Sequence, residues 1–242
     1  MATLTLLGTV HRDPQGLTSL GKDLARLKPH VITLEFSRYG LTYRRRRKKI
    51  LTEKLLQGLQ EIRENKNETL KISEIKGLLR STGIGGIAAL IDLPFEYKGA
   101  RFYTRRLGLP FYLLDLSSPS CRLLSHMDEL LSPENLQKVI AFETVPLQET
   151  IAGEFKQAEK LLSSGRRSPW LQHIYTDEDW QKRERRMAER IRKIVTKHQG
   201  HHIVHICGWQ HLLTRMGTLF NLLEDLTPQR ILLNCPLRFT KK

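Results

Sequence analysis

The stretch TLTLLGTVHRDPQGLTSLGKDLARLKPHVITLEF, residues 3–36, decides the fold. Thr3 to Thr9 is short, apolar and rich in β-branched side chains, the composition of a buried strand. It closes on Gly8-Thr9-Val10-His11, where a turn is expected. Leu17, Leu20, Leu24 and Leu27 then recur at helical spacing, and Lys28-Pro29 stops that helix. Val31 to Phe36 (VITLEF) reads as a second buried strand. Strand, helix, strand in this order predicts parallel strands joined by a right-handed crossover.

Outward from that unit, the chain alternates again. Tyr43 to about Arg80 is helical, with Leu55, Leu56, Leu59 and Ile62 on one stripe and a turn expected at Asn65 to Glu68. Gly83, Gly85 and Gly86 loosen the segment Ile84 to Ile91. Phe95 to Leu107 is a helix, broken by Gly108-Leu109-Pro110, and Phe111 to Leu116 (FYLLDL) reads as a third buried strand. Ser132-Pro133 opens a helix with a capping serine. Another helix runs from Ile151 to Gly165, followed by a loop at Arg166 to Pro169. Asp177 or Thr176 caps a long helix to about Lys197, with Trp180, Met187, Ile191 and Ile194 as its apolar stripe. His202 to Cys207 is a strand, Leu212 to Leu223 a helix, and Arg230 to Asn234 a last strand. The expected fold class is α/β: a mainly parallel central sheet flanked by helices, with a helical insertion in the middle of the chain.

Composition narrows the function classes. The 242 residues carry 40 Lys+Arg against 25 Asp+Glu, a formal charge of +15, with 40% apolar residues. That is a globular composition. No apolar run approaches the ~18–20 residues of a membrane helix. Thr3 to Leu7 reads as a strand with no basic region before it, so no secretory signal is expected. Cys121, Cys207 and Cys235 are odd in number and form no CxxC pair, which disfavours a cysteine zinc site or a disulfide scaffold. The expected compartment is the cytoplasm. The positive charge is concentrated in Arg44-Arg45-Arg46-Arg47-Lys48-Lys49, which would suit nucleic acid or an anionic membrane surface, or else a solvated helical face. Few aromatics interleave with it, and no known nucleic-acid motif surrounds it.

Two segments share one shape: strand, Gly8-Thr9-Val10-His11, helix, and strand, Gly208-Trp209-Gln210-His211, helix. With 16 glycines and 9 histidines, chance supplies about 0.6 GxxH matches, so the strand-end context carries the signal rather than the spacing. In open α/β sheets ligands bind beyond the carboxyl ends of the strands. Glu35 closes VITLEF and Asp115 lies near the end of FYLLDL. Four segments would thus deliver His11, His211, Glu35 and Asp115 to one edge. The plain alternative is that both histidines bond loop carbonyls and Glu35 serves a buried arginine.

GTVH near the start, the glutamate of VITLEF and the late GWQH resemble the TraB/PrgY/Tiki/GumN family, related to the erythromycin-esterase and ChaN-like proteins. Glu96-xxx-Ala100 before LGLPFYLLDL, and Lys182-Arg183-Glu184-xx-Met187-Ala188-xx-Ile191, resemble two further family stretches. The likeness runs in order from residue 7 to about 213. Arg12-Asp13 after the first histidine, Phe36-Ser37 after Glu35, and Lys182 and Glu184 in the helix depart from the family pattern. The resemblance implies one α/β domain of TraB/Tiki type over residues 1–242, with helical insertions at about 43–94 and 132–197. It also implies a hydrolase of an amide, peptide or ester bond acting on a small molecule or peptide.

Chemically, His11, Glu35 and His211 could hold one divalent ion (Mn, Co or Zn) with a position open for water. Glu96 would be a general base or a supporting partner. Arg183 would fix a carboxylate or stabilise an oxyanion. Without metal, His11 would act as the base itself. The alternatives are a non-catalytic module that binds an anionic partner through Arg44 to Lys49, and a haem or small-ligand binder using the histidines. His205 stands in reserve as a ligand, although a histidine in a buried strand is more often a satisfied core group.

Overall fold

A computed structural model describes residues 2–64, 72–142, 145–165, 171, 176–215, 217–235 and 238–239. The sheet contains β1 (Thr3–Thr9), β2 (Val31–Leu34), β3 (Phe111–Leu113), β4 (His202–Gly208), β5 (Gln229–Leu232) and β6 (Arg238–Phe239). Their order is β3-β2-β4-β1-β5-β6. The first five pair in parallel, and β6 runs antiparallel on β5. Helices flank this sheet, so the chain has the expected α/β fold. Leu4, Leu6, Leu7, Ile203, Val204 and Ile206 are all buried, which is why β1 and β4 read as continuous apolar runs rather than alternating ones.

Register places the chemistry. β1 and β4 are neighbours, with Gly8 opposite Cys207 and Thr9 opposite Gly208. The two GxxH segments therefore leave adjacent strands at the same height. β2 lies on the other side of β4, with Leu34 opposite Ile206. The Glu35 N–H adds one more rung by donating to the Ile206 carbonyl at 2.9 Å.

Two compact units emerge from the contacts: Met1–Arg38, Phe95–Leu116 and Gly153–Lys242 in one, Tyr39–Pro94 and Ser117–Ala152 in the other. The first holds the sheet with α1 (Gly16–Leu27) and, after α2 (Arg38–Glu64), α3 (Ile72–Leu79) and α4 (Thr82–Ile91), with α5 (Phe95–Leu107). α1 ends in a left-handed residue, Lys28 (φ 48°), whose N–H donates to Leu24 O, and Pro29 follows. The second unit contains the body of α2, α3, α4, α6 (Ser117–Ser125), α7 (Met127–Leu130) and α8 (Pro133–Ala141). Leu51, Leu55, Leu59, Ile84, Leu124 and Leu136 are among its core residues. Ser132 caps α8 by accepting the Asn135 N–H, with Pro133 in the first turn.

Several boundaries differ from the sequence reading. Residues 84–91 are helical despite their glycines, because Ser81 caps α4 and the segment buries Ile84, Ile87 and Ile91. The second helical stretch of this unit is 117–152 rather than 132–197. After α9 (Leu147–Ser164), α10 (Glu178–Lys197) belongs to the sheet unit, where its stripe is buried. β2 stops at Leu34 because the Phe36 N–H turns back to the Leu34 carbonyl at 2.9 Å. FYLLDL yields only the short, half-buried β3, which pairs with β2 alone at the sheet edge. The helix expected from Leu212 is a single 3₁₀ turn (Trp209–Leu212), followed by the short α11 (Leu219–Leu222), which Thr218 caps. The turn expected at residues 65–68 and the loop at 166–169 lie outside the described residues. Among the described residues, no helix is long and apolar enough to cross a membrane.

Candidate active site

At the carboxyl edge of β2, β4 and β1, Glu35, His11 and His211 come together, and Gly208 lies between them. A methyl group placed on Gly208 would stand 3.1 Å from His11 Nε2, 3.6 Å from His211 Cδ2 and 3.0 Å from the Gln210 side-chain oxygen. Both rings thus flank one point above a bare backbone. This is the close approach that a glycine at position 208 permits.

The two histidines differ in every other respect. His11 Nδ1 lies 2.7 Å from Glu96 Oε1. A carboxylate only accepts, so Nδ1 carries the proton and the neutral ring keeps its lone pair on Nε2. The Thr9 hydroxyl donates to the same Glu96 oxygen at 2.9 Å, which fixes the carboxylate from the strand that precedes the histidine. Glu96 is buried at the start of α5, whereas the His11 side chain is 55% exposed. Partial burial of the ring by itself would lower the His11 pKa. The charge and hydrogen bond of Glu96, backed by Glu35, outweigh that and raise it above the ordinary value.

His211 is 2% exposed and has a carboxylate on each nitrogen. Nδ1 donates to Glu184 Oε1 at 2.5 Å, and Nε2 donates to Glu35 Oε2 at 2.9 Å. Two donated bonds require the imidazolium. Burial opposes that charge, but Glu184 and Glu35 push the pKa up to about 10. Trp180 stacks on the ring at 4.6 Å with an interplanar angle of 7°, a face suited to a buried cation.

Arg183 completes the cluster. It holds Asp115 in a fork (Nε to Oδ1 2.9 Å, Nη2 to Oδ2 2.9 Å) and reaches Glu35 Oε1 at 2.8 Å. Glu35 also accepts the Gly208 N–H at 2.9 Å. Burial would raise the Glu35 pKa, but His211, Arg183 and His11 together hold it well below the usual carboxylate range. Arg183 thus contacts two carboxylates, and Glu96 contacts His11.

Sequence reasoning placed Trp180 in the apolar stripe and Glu184 in the helix but gave neither a part in the site. Glu184 takes His211 on one oxygen and the Leu219 N–H on the other, tying the GWQH turn to α10 and α11. The signal was present: Trp180, Arg183, Glu184, Met187 and Ile191 follow helical spacing, so the Arg-Glu pair falls within an apolar stripe. Charges on a buried stripe need partners. Asp177 caps this helix through the Trp180 N–H at 2.9 Å, which sets its rotation.

The His11, Glu35 and His211 set does not fit a metal ion in this arrangement. Both His211 nitrogens are committed as donors, so the ring offers no lone pair, and Glu35 already accepts from Arg183, Gly208 and His211. The same commitment removes His211 as an axial ligand for haem. His205 is fully buried and bonded through Nδ1 to Thr33 Oγ1 at 2.9 Å, and burial lowers its pKa to about 3. It is a neutral core group. Cys207 is also buried, and burial pushes its thiol well up. In the basic run, Arg47 pairs with Asp128 at 3.3 Å, Lys48 with Asp92 at 2.7 Å and Lys49 with Glu53 at 3.9 Å, so much of its charge is matched by carboxylates of the helical unit. Compared with known proteins, the chain matches no family model, no curated protein and no solved structure.

Proposed function

We propose that the protein is a histidine-assisted hydrolase of an ester or amide bond, with His11 as general base. One observation carries the reading: His11 Nδ1 is pinned 2.7 Å from the buried Glu96, while Nε2 faces the bare Gly208 backbone. A base needs a fixed tautomer, an orienting partner and access for a reacting atom; Glu96 supports the first two, and the exposure of the His11 side chain supports the third. Nε2 takes a proton from water as the oxygen adds to the substrate carbonyl. The tetrahedral intermediate then collapses, and the departing alcohol or amine takes that proton back from His11. Glu96 stabilises the imidazolium formed in between. The order of GTVH, Glu35 and GWQH, with its resemblance to the TraB and erythromycin-esterase group, adds support.

His211 has a different part. As a buried cation between Glu35 and Glu184, it holds the GWQH turn in place beside His11. Arg183 and Asp115 hold Glu35 from the other side.

The test is a panel of p-nitrophenyl esters and anilides assayed with the purified protein, with and without a chelator. Hydrolysis that survives chelation and is lost in His11→Ala supports the reading. Hydrolysis unaffected by His11→Ala, or abolished by the chelator in the wild type, overturns it.

A further inference from the structure

A second feature lies on the sheet unit. α1 and α5 pack side by side. A Cβ on Gly16 would strike the Phe95 ring, and one on Gly99 would meet Leu20. The pairs 16/95 and 20/99 advance together, so the helices run parallel, and Lys28 falls beside Leu107 at their carboxyl ends. Each helix buries one stripe, Leu20 and Leu24 on α1, Tyr97 and Ala100 on α5. The outward stripes should be polar, as surface helices usually are. They are not: Leu17, Gly21 and Ala25 follow helical spacing on α1, and Phe102, Tyr103 and Leu107 face them from α5.

Between these stripes runs a groove of about 880 Å³. Leu17 (48% exposed), Phe102 (68%) and Leu107 (52%) all line it, a gathering of large apolar side chains that solvation alone does not explain. Gly21 leaves part of the floor open, since nothing lies within 4 Å of where its Cβ would be. The rim is cationic. Lys28 and Arg106 stand at the carboxyl end, Lys98 nearer the other, and the lining contains no Asp or Glu among the described residues. The size matches small-ligand sites rather than the broader face a protein partner covers.

We propose that this groove binds a single-chain anionic amphiphile, a fatty carboxylate. The acyl chain lies along Ala25, Gly21 and Phe102, and its carboxylate sits at the Lys28–Arg106 end. Apolar contact supplies the attraction, and the paired cations set the polarity of the ligand.

Titration with cis-parinaric acid, whose fluorescence rises in an apolar site, tests this. The expected result is saturable binding that laurate displaces and dodecylamine does not. Gly21→Leu adds bulk to the floor at an open, helical position and should weaken binding tenfold or more. Lys28→Glu combined with Arg106→Glu should do the same while the circular dichroism spectrum is kept. His11→Ala should bind as the wild type does, which separates this proposal from the hydrolase reading. No saturable binding, equal displacement by dodecylamine, or unchanged affinity in both groove variants overturns it. So does association with phosphatidylglycerol vesicles without binding of monomeric laurate, or a groove-dependent dimer in sedimentation.

Discussion

The GTVH and GWQH turns begin alike and end in opposite chemistry. Both follow adjacent parallel strands, Thr9 facing Gly208 across the ladder. Yet His11 has one carboxylate partner and an open nitrogen, while His211 has two carboxylates and a tryptophan over its face. One ring can exchange its proton and the other keeps it. The difference comes from what each turn meets. GTVH meets one buried acid, Glu96, on α5. GWQH is wedged against α10, which brings Glu184 and Trp180, and against Glu35 at the end of β2. A motif sets where a side chain stands; its neighbours set what it can do.

The sharpest way to break this contrast is to remove each ring in turn. His11→Ala should lower kcat/KM on the best ester by roughly 10²–10⁴-fold, the usual worth of a positioned base. Because His11→Ala also takes the imidazole partner from the buried Glu96, the melting temperature should fall as well. An unchanged rate would assign the base elsewhere. His211→Ala should cost more in stability. It leaves the fully buried Glu184 without its cation and takes one of three partners from Glu35, which costs about 3–5 kcal/mol and lowers the melting temperature by roughly 10 °C. A melting temperature equal to wild type would mean that the cluster does not bind the turns together.

Gly208→Ala probes the space between the rings. Its methyl would crowd His11 Nε2 and Gln210, so activity should fall by about tenfold or more from a displacement well under an ångström. Retained activity would place the reacting atoms away from this point.

The pH profiles sharpen the contrast further. His11 must be neutral to act, and its pKa is raised, so the rate should climb with pH and reach half its plateau above 6.5. Glu96→Gln removes the charge that raises it, and the midpoint should shift to lower pH. For His211 the raised pKa adds stability that is full below 6.5 and is lost as pH climbs through about 10. The difference in melting temperature between wild type and His211→Ala should therefore shrink from pH 7 to pH 10. For Glu35, with its depressed pKa, the contribution is present above 4.5 and fades at lower pH. The smallest effect belongs to the basic run. Lys48→Ala breaks an exposed pair with Asp92 and should change stability by about 0–1 kcal/mol.

Much of the architecture was legible in the chain. β1 and α10 match their expected extents closely, because buried strands and amphipathic helices write their periods into the sequence. β3 did not, since an edge strand and a buried strand share the same apolar letters. The region after GWQH failed for a different reason. Leu212 to Leu223 has helical spacing, but Thr218 caps a new start there and Glu184 takes the Leu219 N–H, both tertiary commitments.

The sequence by itself determined that this is a parallel α/β chain whose two GxxH segments and Glu35 leave the same sheet edge, because hydrophobic period and strand polarity are local properties. Only the tertiary structure decided which histidine is free. That depends on Glu96, Glu184 and Trp180, which lie 85, 27 and 31 positions from the rings they touch. Protonation follows the charges gathered in space, and no spacing along the chain encodes them.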